Sequence, residues 1–152
     1  MRSLQDTFGP DTICFGCGPA NQRGLRIKSF VEGDTVVADW SPESHHQAFE
    51  GSINGGIIGA LLDCHSNWTA AIHLMNERGD DRPPVTVTAD LQVKFRRPTP
   101  SDQPVRLVAR VVESKDPKAV IAAELLSGGQ ICATGRATFV AVEDGHPAYH
   151  RW

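Results

Sequence analysis

The 152-residue sequence predicts an α+β fold: one long central helix lying in the curve of an antiparallel sheet of about six strands. Three observations predict it. Ile57, Leu61, Cys64, Trp68, Ile72 and Met75 recur at three- and four-residue spacing, the period of a helix running from Ile53 to about Asn76. After Pro83-Pro84 the period switches to two, and Val85, Val87, Ala89, Leu91, Val93 and Phe95 alternate with mostly polar residues as in a strand. The links between the later strands are too short for a parallel crossover, so those strands run antiparallel.

The elements follow in order. Residues 1–24 are rich in turn formers (Gly9-Pro10, Gly16, Gly18-Pro19, Asn21, Gly24) and read as an N-terminal loop or arm. Leu25–Phe30 and Thr35–Trp40 are strand-like on either side of Glu32-Gly33-Asp34, a hairpin signal. Ser44–Gly51 reads as irregular. The helix ends in Glu77-Arg78-Gly79-Asp80-Asp81, ahead of the two prolines. Its apolar face is expected on the sheet, leaving Gly59, Asp63, Ser66, Asn67 and Ala70 as a narrow, small-residue side free to face something else. Val105–Glu113, Ala119–Leu126 and Gln130–Val142 complete the strands, divided by Ser114-Lys115-Asp116-Pro117 and Ser127-Gly128-Gly129 turns. Gly145–Trp152 reads as a loose end. One domain over residues 1–152 is expected, with a tail over residues 143–152.

Composition excludes several function classes. Fifteen Lys and Arg against eighteen Asp and Glu give a net charge of −3, which argues against a general nucleic-acid binder. No apolar run approaches the roughly 20 residues of a membrane span. Met1–Asp6 is followed by no apolar segment, so no signal peptide is expected and a cytoplasmic location follows. Four cysteines without an export signal are read as reduced thiols. Cys14 and Cys17 form a C-x-x-C that supplies two of the four ligands of a structural zinc. His45 with His46, or His146 with His150, could complete it, but neither pair has finger-like spacing. Packed thiols in a Gly-rich turn, without metal, are therefore expected.

Two features carry chemistry. Asp63 is the only formal charge between Gly51 and Asn76, and no residue three or four positions away neutralises it. Either it pairs with a distant Arg or lies at a solvated groove, or it is a general base or nucleophile. Ahead of it, Asn54-Gly55-Gly56 opens the helix, where unsatisfied N–H groups and the dipole favour an oxyanion. Tight helix–sheet packing behind an Asn cap is the alternative there.

These residues resemble a family. Cys14-Phe15-Gly16-Cys17-Gly18 with Asn21-x-x-Gly24-Leu25 is similar to the opening of hotdog-fold thioesterases of the phenylacetate-pathway type. The stretch from His46-Gln47 through Gly51, Asn54-Gly55-Gly56-Ile57-Ile58 and Leu61-Leu62-Asp63 resembles their central motif, and Phe95-x-x-Pro98 the end of their third strand. The resemblance spans about residues 14–142. It implies a hotdog fold and hydrolysis of acyl-CoA thioesters by a homodimer, or a dimer of dimers, with each site shared between subunits. Carried over, the Gly55 amide, with Gly56, polarises the thioester carbonyl. Asp63 activates water or attacks directly, and Thr88 on the partner's strand positions that water; as a plain strand residue Thr88 needs no such role. No cofactor is implied, coenzyme A being part of the substrate.

The chain departs from the pattern at Asn54, where relatives have His, at Ala48, where an Asn or Gln often contacts the carbonyl, and at Cys64, where a Glu often follows the acid. Gln47, beside Ala48, is a candidate substitute. His46 suggests a dehydratase or hydratase base, although the prolines of that loop are missing; capping the loop is the expected role. Arg96 and Arg97 are candidates for the phosphates of coenzyme A, or else form a solvated strand end. A non-catalytic acyl-CoA or small-ligand binding protein remains the alternative function.

Overall fold

In the computed structural model, which describes residues 1–152, the arm begins with a short helix, α1 (Leu4–Phe8). The Ser3 hydroxyl caps it by accepting from the Asp6 amide. The first hairpin joins β1 (Phe30–Glu32) to β2 (Thr35–Trp40) through Gly33, whose φ of 64° suits glycine. The strand expected from Leu25 therefore starts late. Leu25 and Ile27 are buried, but their amides donate to the Phe15 and Gly16 carbonyls of the C-x-x-C loop instead of a neighbouring strand.

A 3₁₀ turn at Ser44–His46 and a small ribbon, β3 (Gln47–Phe49) with β4 (Ser52–Ile53), occupy the segment read as irregular. The long helix α2 spans Gly55–Arg78 and stops at Gly79, in the left-handed region at φ 70°. Then come β5 (Thr86–Phe95), β6 (Val105–Lys115), β7 (Lys118–Ser127) and β8 (Gln130–Ala141). The sheet order is β1-β2-β6-β7-β8-β5, antiparallel throughout, with α2 packed across it. This is the predicted hotdog architecture: an open, curved, six-stranded sheet around one helix. No helix is long and apolar enough to cross a membrane.

The core lies between α2 and the sheet. Leu61, Leu62, Trp68 and Leu74 meet Leu107, Ile121, Leu125 and Phe139, all fully buried. At Gly135 of β8 an added Cβ would already touch the Leu62 side chain at 3.5 Å, so this position sets how closely helix and sheet approach.

Two expectations need correction, and β5 is irregular. Ser66, Asn67 and Ala70 do not form a free side of the helix, because each is buried. Asn67 is covered by the start of β5, where the Thr86 hydroxyl donates to its Oδ1 at 2.6 Å. Apart from the open last turn, the outward face lies in the first two and a half turns, at Gly56, Gly59, Ala60 and Asp63. The tail is not loose: Trp152 stacks on Trp68 at 4.6 Å between centroids, and its indole N–H donates to the Pro83 carbonyl. The apolar residues of β5 do not make one buried stripe. A bulge at Ala89, between Thr88 and Asp90, shifts the register against β8. Beyond it both faces of this edge strand are largely open, with Leu91 37 % and Phe95 58 % exposed.

Candidate active site

Asp63 lies on the outward face of α2, half-buried, and makes no ion pair. Its Oδ1 accepts the Thr88 hydroxyl at 2.7 Å. Both residues belong to the same chain, which corrects the implied placement of Thr88 on a partner's strand: β5 runs beside the helix, and the Ala89 bulge follows directly after Thr88. Burial pushes the Asp63 carboxyl above the usual carboxylate range, and the negative charge of Cys14 adds to that. The Thr88 bond and the Arg151 guanidinium act in the opposite direction. A desolvated carboxylate held by one hydroxyl is equipped to take a proton from water.

The helix N-terminus is built for a different task. Asn54 caps α2, accepting the Ile57 amide on Oδ1 at 3.1 Å, while its carbonyl takes the Ile58 amide. The Gly55 and Gly56 amides, first and second in the helix, have no partner in the chain. Gly55 opens onto a groove of about 440 Å³ whose walls include Phe49, Phe95, Arg96, Arg97 and Thr99. Thr99 is buried, and its hydroxyl is the one enclosed side-chain polar atom without a hydrogen-bond partner. Arg97 reaches Gln130 at 2.5 Å, whereas the Arg96 side chain is exposed and free of such a tether.

His46 and Gln47 are used to build the loop ahead of the helix. The His46 Nδ1 accepts the Glu43 amide at 2.9 Å, and its ring packs against Trp40. Its carbonyl takes the Asn54 amide, which positions the cap. Burial and the neighbouring His45 lower its pKa. The Gln47 side chain donates to the Ser44 carbonyl and accepts from the Gly51 amide and the Ser101 hydroxyl. The Gln47 amide and the Nδ1 of His46 are thus taken up by the loop itself.

Sequence reasoning missed Thr99, because a hydroxyl without a partner leaves no trace in a pattern. It also missed Cys64 as a neighbour of the C-x-x-C. The sulfurs of Cys14, Cys17 and Cys64 lie within 4.8 Å of one another, and Cys14 is 3.7 Å from Cys64. Donation from Cys17 and Cys64 holds the Cys14 thiol far below the usual thiol range. The same sharing pushes Cys17 up to about 11 and raises Cys64 well above its ordinary value. The two histidine pairs take no part, and Cys132 lies apart on β8, beside the Gln130 carbonyl.

A comparison with protein families matches residues 50–134 to the model described as thioesterase superfamily. No curated protein matches the chain. Among solved structures it is similar to a thioesterase superfamily protein from Shewanella loihica PV-4, at 29 % identity and a TM-score of 0.67 over 82 % of this chain and 98 % of that one. A phenylacetic acid degradation-related protein from Ralstonia eutropha JMP134 is 22 % identical over 83 % and 92 %, with a TM-score of 0.67. The PaaI protein of the E. coli phenylacetic acid degradation operon is 15 % identical over 78 % and 81 %, with a TM-score of 0.66.

Proposed function

Given that this chain belongs to the thioesterase superfamily, we propose that it hydrolyses acyl-CoA thioesters, using Asp63 of one subunit and the Gly55 and Gly56 amides of another. The observation that carries this reading is the half-buried Asp63, hydroxyl-bonded and without an ion pair, on a helix that begins with two unpartnered amides. Asp63 lies seven residues beyond Gly56, or about 10 Å along the axis at the usual rise. A carbonyl held by the amides is therefore out of reach of the acid on the same helix. Two copies packed through their outward helix faces bring one acid to the other's amides. The small residues Gly56, Gly59 and Ala60 permit that approach, and the open β5 edge supports pairing between copies.

In the reaction, the oxygen of water attacks the thioester carbon while Asp63 takes the proton. The oxyanion accepts from the glycine amides, which are pre-aimed by the helix. Collapse breaks the C–S bond, and the Asp63 proton passes to the departing thiolate. The Thr88 hydroxyl holds the carboxylate in place. Arg96, at the rim of the groove, meets the phosphates of coenzyme A, and Phe49 and Phe95 offer apolar contact. Free cysteines suit a reducing compartment, which supports action in the cytoplasm.

The test is thiol release from a panel of aromatic and aliphatic acyl-CoA esters, comparing the native chain with Asp63→Asn. A loss of about 10²- to 10⁴-fold in kcat is expected, with the fold retained by circular dichroism. No Asp63-dependent release across the panel would sink the proposal and leave a binding protein. Arg96→Gln should raise KM several-fold for CoA esters and leave KM unchanged for a phosphate-free pantetheine ester.

A further inference from the structure

We propose that Cys14, Cys17 and Cys64 form a three-thiolate zinc site that ties the N-terminal loop to the central helix. Geometry comes first. In a tetrahedral zinc site with bonds of about 2.3 Å, sulfur atoms stand about 3.8 Å apart. Cys14 and Cys64 are already 3.7 Å apart, and Cys17 completes a triangle in which no side exceeds 4.8 Å. These ligands come from two elements fifty residues apart in sequence, so their convergence is not a by-product of the C-x-x-C turn alone.

The loop is shaped to let the sulfurs meet. A Cβ at Gly16 would lie 2.3 Å from the Cys64 sulfur, and one at Gly18 only 2.4 Å from the Cys14 amide nitrogen. The Gly18 amide closes the turn on the Cys14 carbonyl at 2.8 Å. On the far side, the Trp68 indole N–H donates to the Cys17 sulfur at 3.4 Å, the kind of outer contact that orients a metal-bound thiolate. Cys17 and Cys64 are buried, whereas Cys14 is partly open. The fourth position accordingly faces outward and takes water or a small ligand from solution.

Binding is an exchange without redox change. The ion displaces the thiol protons to solvent, and three sulfur–zinc bonds form. Sulfur donors and near-tetrahedral spacing select zinc over hard cations such as magnesium or calcium. The proposal is independent of the hydrolase reading, because its readout is the metal itself.

The experiment uses the full chain, purified with a phosphine reductant and stripped by a chelator. It is titrated with zinc against a chromophoric chelator, and separately with cobalt(II). One equivalent per chain is expected. Cobalt should give the sulfur-to-metal charge-transfer band and strong visible bands of a tetrahedral thiolate site. Cys14→Ser and Cys64→Ser should each weaken zinc at least tenfold and diminish the charge-transfer band, and Cys132→Ser should change neither. A native chain that is folded by circular dichroism, shows four free thiols to a thiol reagent and binds no stoichiometric zinc would overturn the proposal. So would retention of full affinity in both the Cys14 and Cys64 variants.

Discussion

The two halves of helix α2 solve opposite problems. From Cys64 to Ile72 every residue is buried, and the polar side chains of His65, Asn67 and Thr69 are paired. The His65 Nδ1 meets the Ser29 hydroxyl and its Nε2 the Val36 carbonyl, both at 2.8 Å. Asn67 accepts from Thr86, and Thr69 donates to the His65 carbonyl. From Gly55 to Asp63 the helix is partly bare, and its polar groups are left free: two amides, and one acid held by a single hydroxyl. A buried polar group left unpaired costs about 1–3 kcal/mol, so the closed half is organised to avoid that loss. In the proposed reaction the open half leaves its groups to a substrate. On that reading one helix separates stability from chemistry along its length.

The largest expected effect breaks this comparison at Asp63. Asp63→Asn should abolish most turnover, yet should not lower stability. Burial opposes the charged form, and the amide keeps an oxygen for Thr88 while removing the charge. A thermal melt falling by more than a few degrees would make Asp63 a structural residue and blur the division.

His65→Ala should do the reverse. It empties a fully buried site, takes the imidazole partner from the Val36 carbonyl and leaves the Ser29 hydroxyl with Gln5 alone, so about 3 kcal/mol of stability is expected to go at pH 7. The pH dependence is distinctive. Burial holds the folded-state pKa of His65 down at about 4, below the ordinary value of 6.5. The unfolded chain then binds more protons at acid pH, so this stabilisation is complete above 6.5 and disappears as pH falls through 4. A shift of that size is worth about 3 kcal/mol. Urea melts of the two proteins should therefore converge as pH drops from 7 to 4. A constant gap would mean that the ring contributes packing alone.

Legibility in the sequence followed the same division. The helix, the later strands and the two glycines opening α2 could be read because period, turn chemistry and caps are local signals. Asp63 stood out because charge is absent around it. What escaped depended on distant chain. Asn67 seemed to belong to a free face until β5 covered it, and Trp152 seemed idle until it met Trp68. Leu25 and Ile27 have strand-like residues, but the C-x-x-C loop claims their amides. The bulge at Ala89 defeats a period-two reading by inserting one residue without altering the alternation in sequence.

The smallest expected effect is also the finest test, because it makes one substitution in the closed half of the helix and in the groove beside its open half. Thr69→Val removes a hydroxyl that donates to the His65 carbonyl at 2.9 Å, and stability should fall by about 1 kcal/mol. Thr99→Val removes a hydroxyl that is enclosed and unpartnered, so stability should hold or rise by up to about 1 kcal/mol. Because Thr99 lines the groove beside Gly55, the same change should raise KM several-fold. Thr69→Val should leave KM alone. Opposite signs in stability, with a KM effect confined to Thr99, would assign the free hydroxyl to the substrate. Equal losses of stability with no change in KM would make Thr99 an ordinary core residue.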